Sequence, residues 1–249
     1  MATRLPGLVS VVGLYLVLVF SANAAEKASP TDQGKTSQTA ADVKSAEPAS
    51  KAPVPVYKPP QRGAPGGRVG GGTRGVQREV FMLSVLAPDH SGDTISEQPS
   101  LYWYISSPTS LPIEITIMDP TATKPILETK IPSPTQAGIH RIRLADYGVR
   151  LSPGTAYRWY VTVVPDAERR SKDILAGGAI ELIGMPDGLK SKISQASKEQ
   201  VPLIYAEAGI WYDALSAMSD LIDASPNDSS LKKQRVSLLS QVGISGINE

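Results

Sequence analysis

The chain has 249 residues, 41% of them hydrophobic and 20% charged, with a formal net charge of +1, which suits one or two globular domains and excludes a fibre or a membrane bundle. Cysteine is absent, so disulfides, thiolate metal sites and thiol nucleophiles are excluded. Two histidines, His90 and His140, stand outside any i, i+4 pair, and no metal, cofactor or catalytic set is expected.

Residues 1–24 read as a secretory signal. Arg4 supplies the positive start, Leu8 to Phe20 form a 13-residue apolar run, and Ala22-Asn23-Ala24 makes an A-x-A cleavage site. The run is too short to span a bilayer comfortably, and without a cysteine behind it the chain cannot be a lipoprotein. The expectation is a mature chain from about Ala25, periplasmic or extracellular, with no transmembrane segment.

Residues 25–78 read as a linker. From Glu26 to Arg78 there is no Leu, Ile, Met, Phe or Trp, and Tyr57 is the single aromatic among seven prolines and eight glycines. Such a stretch buries too little apolar area to offset an ordering entropy of roughly 1–2 kcal/mol per residue, so disorder is predicted. Within it, Ala52 to Pro60 favours extended polyproline II, and Arg62 to Arg78, with four arginines and no acid, reads as a flexible basic tether. The same segment carries nine Lys/Arg against four Asp/Glu, whereas Glu79 to Glu249 carries fifteen against twenty, so tail and body oppose each other in charge.

Residues 79–186 alternate with period two. The runs Glu79 to Ala87, Ser100 to Ser106, Ile113 to Asp119, Ile126 to Ile131, Gly138 to Leu144, Tyr157 to Val164 and Ile174 to Ile183 predict seven short strands, the count of an immunoglobulin-like antiparallel β-sandwich. In the sixth, Tyr157, Trp159, Val161 and Val163 share the face predicted as core. Leu151-Ser152-Pro153-Gly154-Thr155-Ala156-Tyr157 resembles the L-x-P-G-T-x-Y segment of fibronectin type III domains, which implies a tyrosine corner with the Tyr157 hydroxyl bound to upstream backbone.

Residues 187–249 change period to 3.6 and predict an α-helical cap. Trp211, Leu215, Met218 and Ile222 mark one helix. Leu231, Leu238, Leu239 and Val242 mark another, with Asp228 as N-cap and Gly243 as stop. An earlier segment, Leu189 to Ala208, contains Pro202, which must kink it or restart it, so three helices or four short ones are expected. Tyr205, Gly209, Trp211, Ala214 and Pro226 fall on the spacing of a single tetratricopeptide hairpin, in which Gly209 allows close packing. One such hairpin cannot bury its own faces and should lean on the sandwich.

Ile95-Ser96-Glu97-Gln98-Pro99 with Tyr102-Trp103-Tyr104, then Tyr157-Arg158-Trp159-Tyr160, the Asp166 to Asp173 loop and Tyr205 to Ala214 (YAEAGIWYDA) resemble an exported bacterial family, domain of unknown function 928. The resemblance covers roughly Arg74 to Gly243, extends to a Gly-rich basic stretch at Arg68 to Arg74, and implies export and architecture but no activity. One departure is Ala179, where the family pattern leads one to expect a bulky aromatic after Gly178.

Each chemical candidate has a plainer reading beside it. Asp89-His90-Ser91-Gly92-Asp93 gathers acid, imidazole and hydroxyl, but neighbours in a turn point apart, and a solvated turn is expected. The Pro165 to Asp173 loop carries charges of both signs; Asp166, Arg169, Arg170 and Asp173 are candidate partner contacts, or a self-paired hairpin. Trp103 must point away from Tyr102 and Tyr104, leaving rings for sugar stacking or, preferably, for covering by the helices. Trp211 and Tyr212 are candidate partner contacts or a domain junction. The arginine–glycine tract resembles nucleic-acid-binding segments, a partner that export disfavours. The reading is therefore an exported, non-enzymatic binding or scaffold protein whose partner is an envelope protein or acidic polysaccharide, in an unspecified oligomeric state. The rival is an envelope hydrolase of glycans or peptides using carboxylates such as Asp166 and Asp173, or Glu97.

Overall fold

The computed structural model describes residues 53–60, 67–70, 73–76 and 79–249; the expected signal and most of the expected linker lie outside them. The described chain is mainly antiparallel β-sheet followed by four helices. In chain order the strands are β1 (Val69–Gly70), β2 (Thr73–Val76), β3 (Glu79–Val85), β4 (Ser91–Thr94), β5 (Ser100–Ile105), β6 (Ile113–Met118), β7 (Leu127–Ile131), β8 (Gly138–Arg143), β9 (Ala156–Val163) and β10 (Ile174–Leu182). The helices are α1 (Leu189–Gln195), α2 (Val201–Glu207), α3 (Trp211–Ala224) and α4 (Ser229–Ser240).

One sheet runs β1-β10-β9-β6-β7, with β4 pairing β10 in parallel, and the other runs β2-β3-β5-β8. All seven predicted strands are present, each within a residue or two of its expected ends. The predicted core face of β9 is buried, with Trp159, Val161 and Val163 fully enclosed against Ile113, Ile115 and Ile117 of β6. Period-two sequence works here because each strand has one face against this common core. The Tyr157 hydroxyl accepts a hydrogen bond from Ser152 N–H at 3.1 Å, the upstream tie that the resemblance implied.

Three strands went unread. β4 occupies Ser91–Thr94, inside the segment expected to be a solvated turn, because only parallel pairing with Ala179–Leu182 makes so polar a run a strand. β1 and β2 lie within the stretch expected to be a disordered tether, and β2 pairs β3, so folded structure starts before Glu79.

In the cap, Pro202 restarts the helix: α1 ends at Gln195 and α2 begins at Val201 with the proline in its first turn, where its missing N–H costs nothing. Asp228 caps α4 by accepting from Ser230 N–H and Leu231 N–H. Gly243 takes a φ of 72° just past the helix end. Beyond it Ile244 and Ile247 enter the core, and Arg235 holds Glu249 through two hydrogen bonds of 2.7 and 2.9 Å while donating to Ser219 Oγ.

Candidate functional site

The cap is fastened to the β body at the N-terminal turn of α3. Trp211 Nε1–H donates to Leu86 O, and Trp159 Nε1–H donates to Tyr212 Oη, whose own proton goes to Ala179 O, each at 2.9 Å. Burial pushes the Tyr212 phenol well above its ordinary value, so the hydroxyl stays a donor. Trp211 and Tyr212 are 0% and 1% exposed. They form the joint between the cap and the β body, the reading that stood beside partner contact for this pair. Ala179, where an aromatic was expected, is small and buried beneath Tyr212, and its carbonyl serves the junction. Gly178 beside it leaves room for the indole: a Cβ there would sit 2.7 Å from Ala87 Cβ and 3.0 Å from Trp159 Nε1.

Next along α3, the Asp213 carboxylate accepts from Thr94 Oγ1 at 2.7 Å and Ile95 N–H at 3.1 Å, tying α3 to the end of β4. Burial raises the Asp213 carboxyl above the usual range, opposed by those two donors. Further on, Arg141 of β8 donates to Tyr102 Oη and pairs with Asp220 and Asp223 of α3 at 2.5 and 3.0 Å. Tyr102, Trp103 and Tyr104 are all buried. Tyr102 meets Ser216 of α3, while Trp103 stacks on His140 at 4.4 Å between centroids, so the aromatic strand is covered.

The larger surprise is the segment 53–60, expected to be disordered, which docks as an extended strap against the cap and β4. Pro55 and Tyr57 point inward and are buried, whereas Val54 and Val56 point out. The Gln241 side-chain amide grips the strap backbone at both ends, accepting from Tyr57 N–H and donating to Pro55 O at 2.8 Å each. Lys58 N–H donates to Ala206 O, and Lys58 Nζ pairs with Glu207 at 2.7 Å. Gly209, with φ 79°, is the notch that admits the strap: a Cβ there would lie 2.7 Å from Lys58 O. Tyr57 stands edge-on to Trp211, with ring centroids 5.0 Å apart. Burying the two inward side chains stabilises the strap by roughly 1.5–3 kcal/mol each, against roughly 1–2 kcal/mol per residue for ordering the four that are not proline. The hydrogen bonds to Gln241, Ala206 and Glu207 and the edge contact with Trp211 add to this burial.

Tyr57 Oη lies 2.9 Å from His90 Nε2, and His90 Nδ1 lies 3.2 Å from Asp89 Oδ1. A hydroxyl, an imidazole and a carboxylate in series have the layout of a nucleophile–base–acid relay. Burial, followed by the Asp93 and Asp89 carboxylates, drives the Tyr57 phenol far above its ordinary value, and the residue is 7% exposed. A nucleophile must be reached by its substrate, and this phenol lies buried against Trp211 under the strap. The chain fastens the strap. Asp89 and His90, expected as turn neighbours to point apart, do meet, and sequence could not bring a phenol to them because Tyr57 arrives from the supposed linker, where the one signal was a lone aromatic among prolines. Arg68, read as tether charge, likewise donates to Val242 O and Gly243 O just past α4 and to Ala87 O just past β3.

The β9–β10 loop is an ionic cluster. Arg169 Nε pairs with Asp166 at 2.5 Å, and Arg170 reaches Glu114 of β6 at 2.6 Å and Asp173 at 2.8 Å. The Arg170 hydrogen bond holds the Glu114 carboxyl below its usual range, and Glu114 raises the Arg170 guanidinium in turn. Both arginine side chains remain largely exposed, at 65% and 51%, on loops fixed by these pairs. Glu97 is paired with Arg150 at 2.6 Å on the surface. Asp93, from the segment expected to be a turn, and Glu181, not singled out from sequence, are register partners on β4 and β10 and line a cleft of about 450 Å³ with Pro153 and Pro186. Among the described residues, no group of three or more His, Asp or Glu could hold a metal ion, and no helix is long and apolar enough to cross a membrane.

These features define a β-sheet domain with an integral helical cap, its junction aromatics committed to internal contacts and two exposed arginines carried on the β9–β10 loop. Residues 69–249, from the first residue of β1 to the last of the chain, match the model of a Domain of Unknown Function (DUF928), and the chain belongs to that family. No curated protein gives a significant match.

Proposed function

We propose that the chain is an exported, non-enzymatic binding or scaffold module of the bacterial envelope, released by cleavage near Ala24 and recognising an acidic protein or polysaccharide through Arg169 and Arg170. The fold we assign is an immunoglobulin-like sandwich with a tetratricopeptide-like turn in its cap. Supporting that assignment are the order β3-β5-β8 beside β4-β10-β9-β6-β7, the Tyr157 tie at the start of β9, and the Gly209 turn between α2 and α3 with Pro226 just past α3.

One observation carries the functional reading: two exposed guanidiniums held in fixed positions by Asp166, Asp173 and Glu114. A planar donor fork already oriented by its neighbours loses less side-chain entropy when a carboxylate arrives. The test compares wild type with the Arg169→Glu/Arg170→Glu variant in binding to polygalacturonate and in capture from envelope fractions. Loss of the wild-type interactions, with unchanged thermal stability, supports the reading, and identical binding by both chains overturns it. A parallel deletion should stop at residue 50, because removing the strap would strip Tyr57 from the core.

The Asp93–Glu181 cleft gives a second reading, a carboxylate-pair hydrolase, a specific feature in its favour being that both acids line one cleft. Glycan or peptide turnover by wild type, abolished in Glu181→Gln, would establish it in place of the first.

A further inference from the structure

The outer face of the β1-β10-β9-β6-β7 sheet continues from the β9–β10 loop as a shelf. Tyr157, Trp159, Val161 and Val163 turn inward from β9, so Tyr160 and Thr162 turn outward. Tyr160 is the register partner of Gly177 on β10 and of Thr116 on β6. Its Cδ1 and Cε1 fill the space over the glycine, 2.5 and 2.7 Å from where a Cβ would stand. The ring therefore lies along the sheet, leaning over β10, and stays partly exposed. Val69, opposite Gly177 on β1, and Leu175, two residues along β10, share this face and are 43% and 40% exposed, so the ring belongs to an apolar strip. One row nearer the loop, Thr162 faces Glu114, the carboxylate that Arg170 grips at 2.6 Å. Two residues along a strand span roughly 6.6 Å, which puts that guanidinium within about two sugar rings of Tyr160. At the far edge, Glu128 and Lys130 of β7 offset each other in charge.

We propose that this shelf binds a polysaccharide of uronic acids, with one sugar ring stacked on Tyr160 and a neighbouring carboxylate taken by Arg170 or Arg169. It deepens, and rests on, the reading of those arginines as contacts for an acidic partner. The ring decides for a sugar over an acidic protein. Protein partners anchor through side chains inserted in pockets, whereas a tyrosine laid along a sheet presents a face. The C–H groups on one side of a sugar form an apolar surface that suits such a face, and the sugar hydroxyls can reach Thr116 in the same row. A guanidinium fork matches a carboxylate through two parallel hydrogen bonds. Each uronic acid unit carries both the C–H surface and the carboxylate, so one polymer satisfies ring and arginines together. An acidic peptide satisfies the arginines alone and leaves the strip of Tyr160, Leu175 and Val69 uncovered.

The test is calorimetric titration of the full chain with polygalacturonate at low salt, in wild type, Tyr160→Ala, Tyr160→Phe, Leu175→Glu and Arg169→Glu/Arg170→Glu. Tyr160→Ala should weaken binding at least about tenfold, and Tyr160→Phe, which keeps the ring, by no more than about threefold. Leu175→Glu guards against misfolding, because that side chain is exposed, and should weaken binding at least about threefold by setting a carboxylate on the shelf. Binding abolished in the arginine variant but unchanged in both Tyr160→Ala and Leu175→Glu overturns the shelf and leaves the arginine reading standing. Binding lost in Tyr160→Ala but kept in the arginine variant refutes the arginine reading and the uronic acid assignment with it. A wild type that does not bind polygalacturonate overturns the proposal, whatever protein it captures.

Discussion

Replacing Tyr212 by Phe probes the joint between cap and β body with the least disturbance of packing. The ring stays, so the apolar contribution is nearly unchanged, and only the hydroxyl between Trp159 Nε1 and Ala179 O is removed. Both partners are buried, so the indole N–H loses its acceptor and the carbonyl loses a donor with no solvent to replace them. Leaving a buried group unpaired costs about 1–3 kcal/mol, and the carbonyl has a second lone pair to fall back on, so the expected loss is about 2–4 kcal/mol. In a body of this size each kcal/mol lowers Tm by roughly 2–4 °C, which gives a fall of about 4–16 °C. Urea unfolding followed by near-UV circular dichroism should show a lower midpoint with an unchanged slope. Tyr147→Phe, at an exposed tyrosine, is the control and should stay within about 0.5 kcal/mol of wild type. A Tyr212→Phe variant as stable as that control would refute the claim that this hydroxyl joins the two parts.

Asp213→Asn should remove a pH dependence. The folded carboxyl is raised above its unfolded value, so folding binds a proton more tightly, and stability is greatest below the unfolded range near about pH 4 and declines as pH rises through the folded value. An asparagine oxygen can still accept from Thr94 and Ile95, so the variant should gain on wild type between pH 4 and pH 7; a pH-independent difference in urea midpoints would contradict this. Gly178→Ala forces a methyl against Ala87 and the Trp159 indole, and should cost about 1–3 kcal/mol with a change in Trp emission. Arg170→Ala removes exposed ion pairs and should lower stability by no more than about 1 kcal/mol in thermal unfolding.

Alternation alone was enough to find the seven longer strands, and the 3.6 period with Pro202, Asp228 and Gly243 was enough to place the helices. Both are local signals, in which each residue's neighbours in sequence decide which face it shows. The tie of Tyr157 was legible through the resemblance of Leu151 to Tyr157 to a fibronectin type III segment, and its partner lies five residues upstream. Tertiary structure alone decided the rest. Polar Ser91–Thr94 becomes a strand only beside β10. The proline segment becomes a strap because Gln241, Gly209 and Trp211 stand where Tyr57 can reach them. For Trp211 and Tyr212 the sequence left partner contact and junction both open, and the partners of the joint, Leu86, Trp159 and Ala179, come from strands far away in sequence. Composition measures what a segment can bury by itself and is blind to a groove formed by side chains up to 186 residues away.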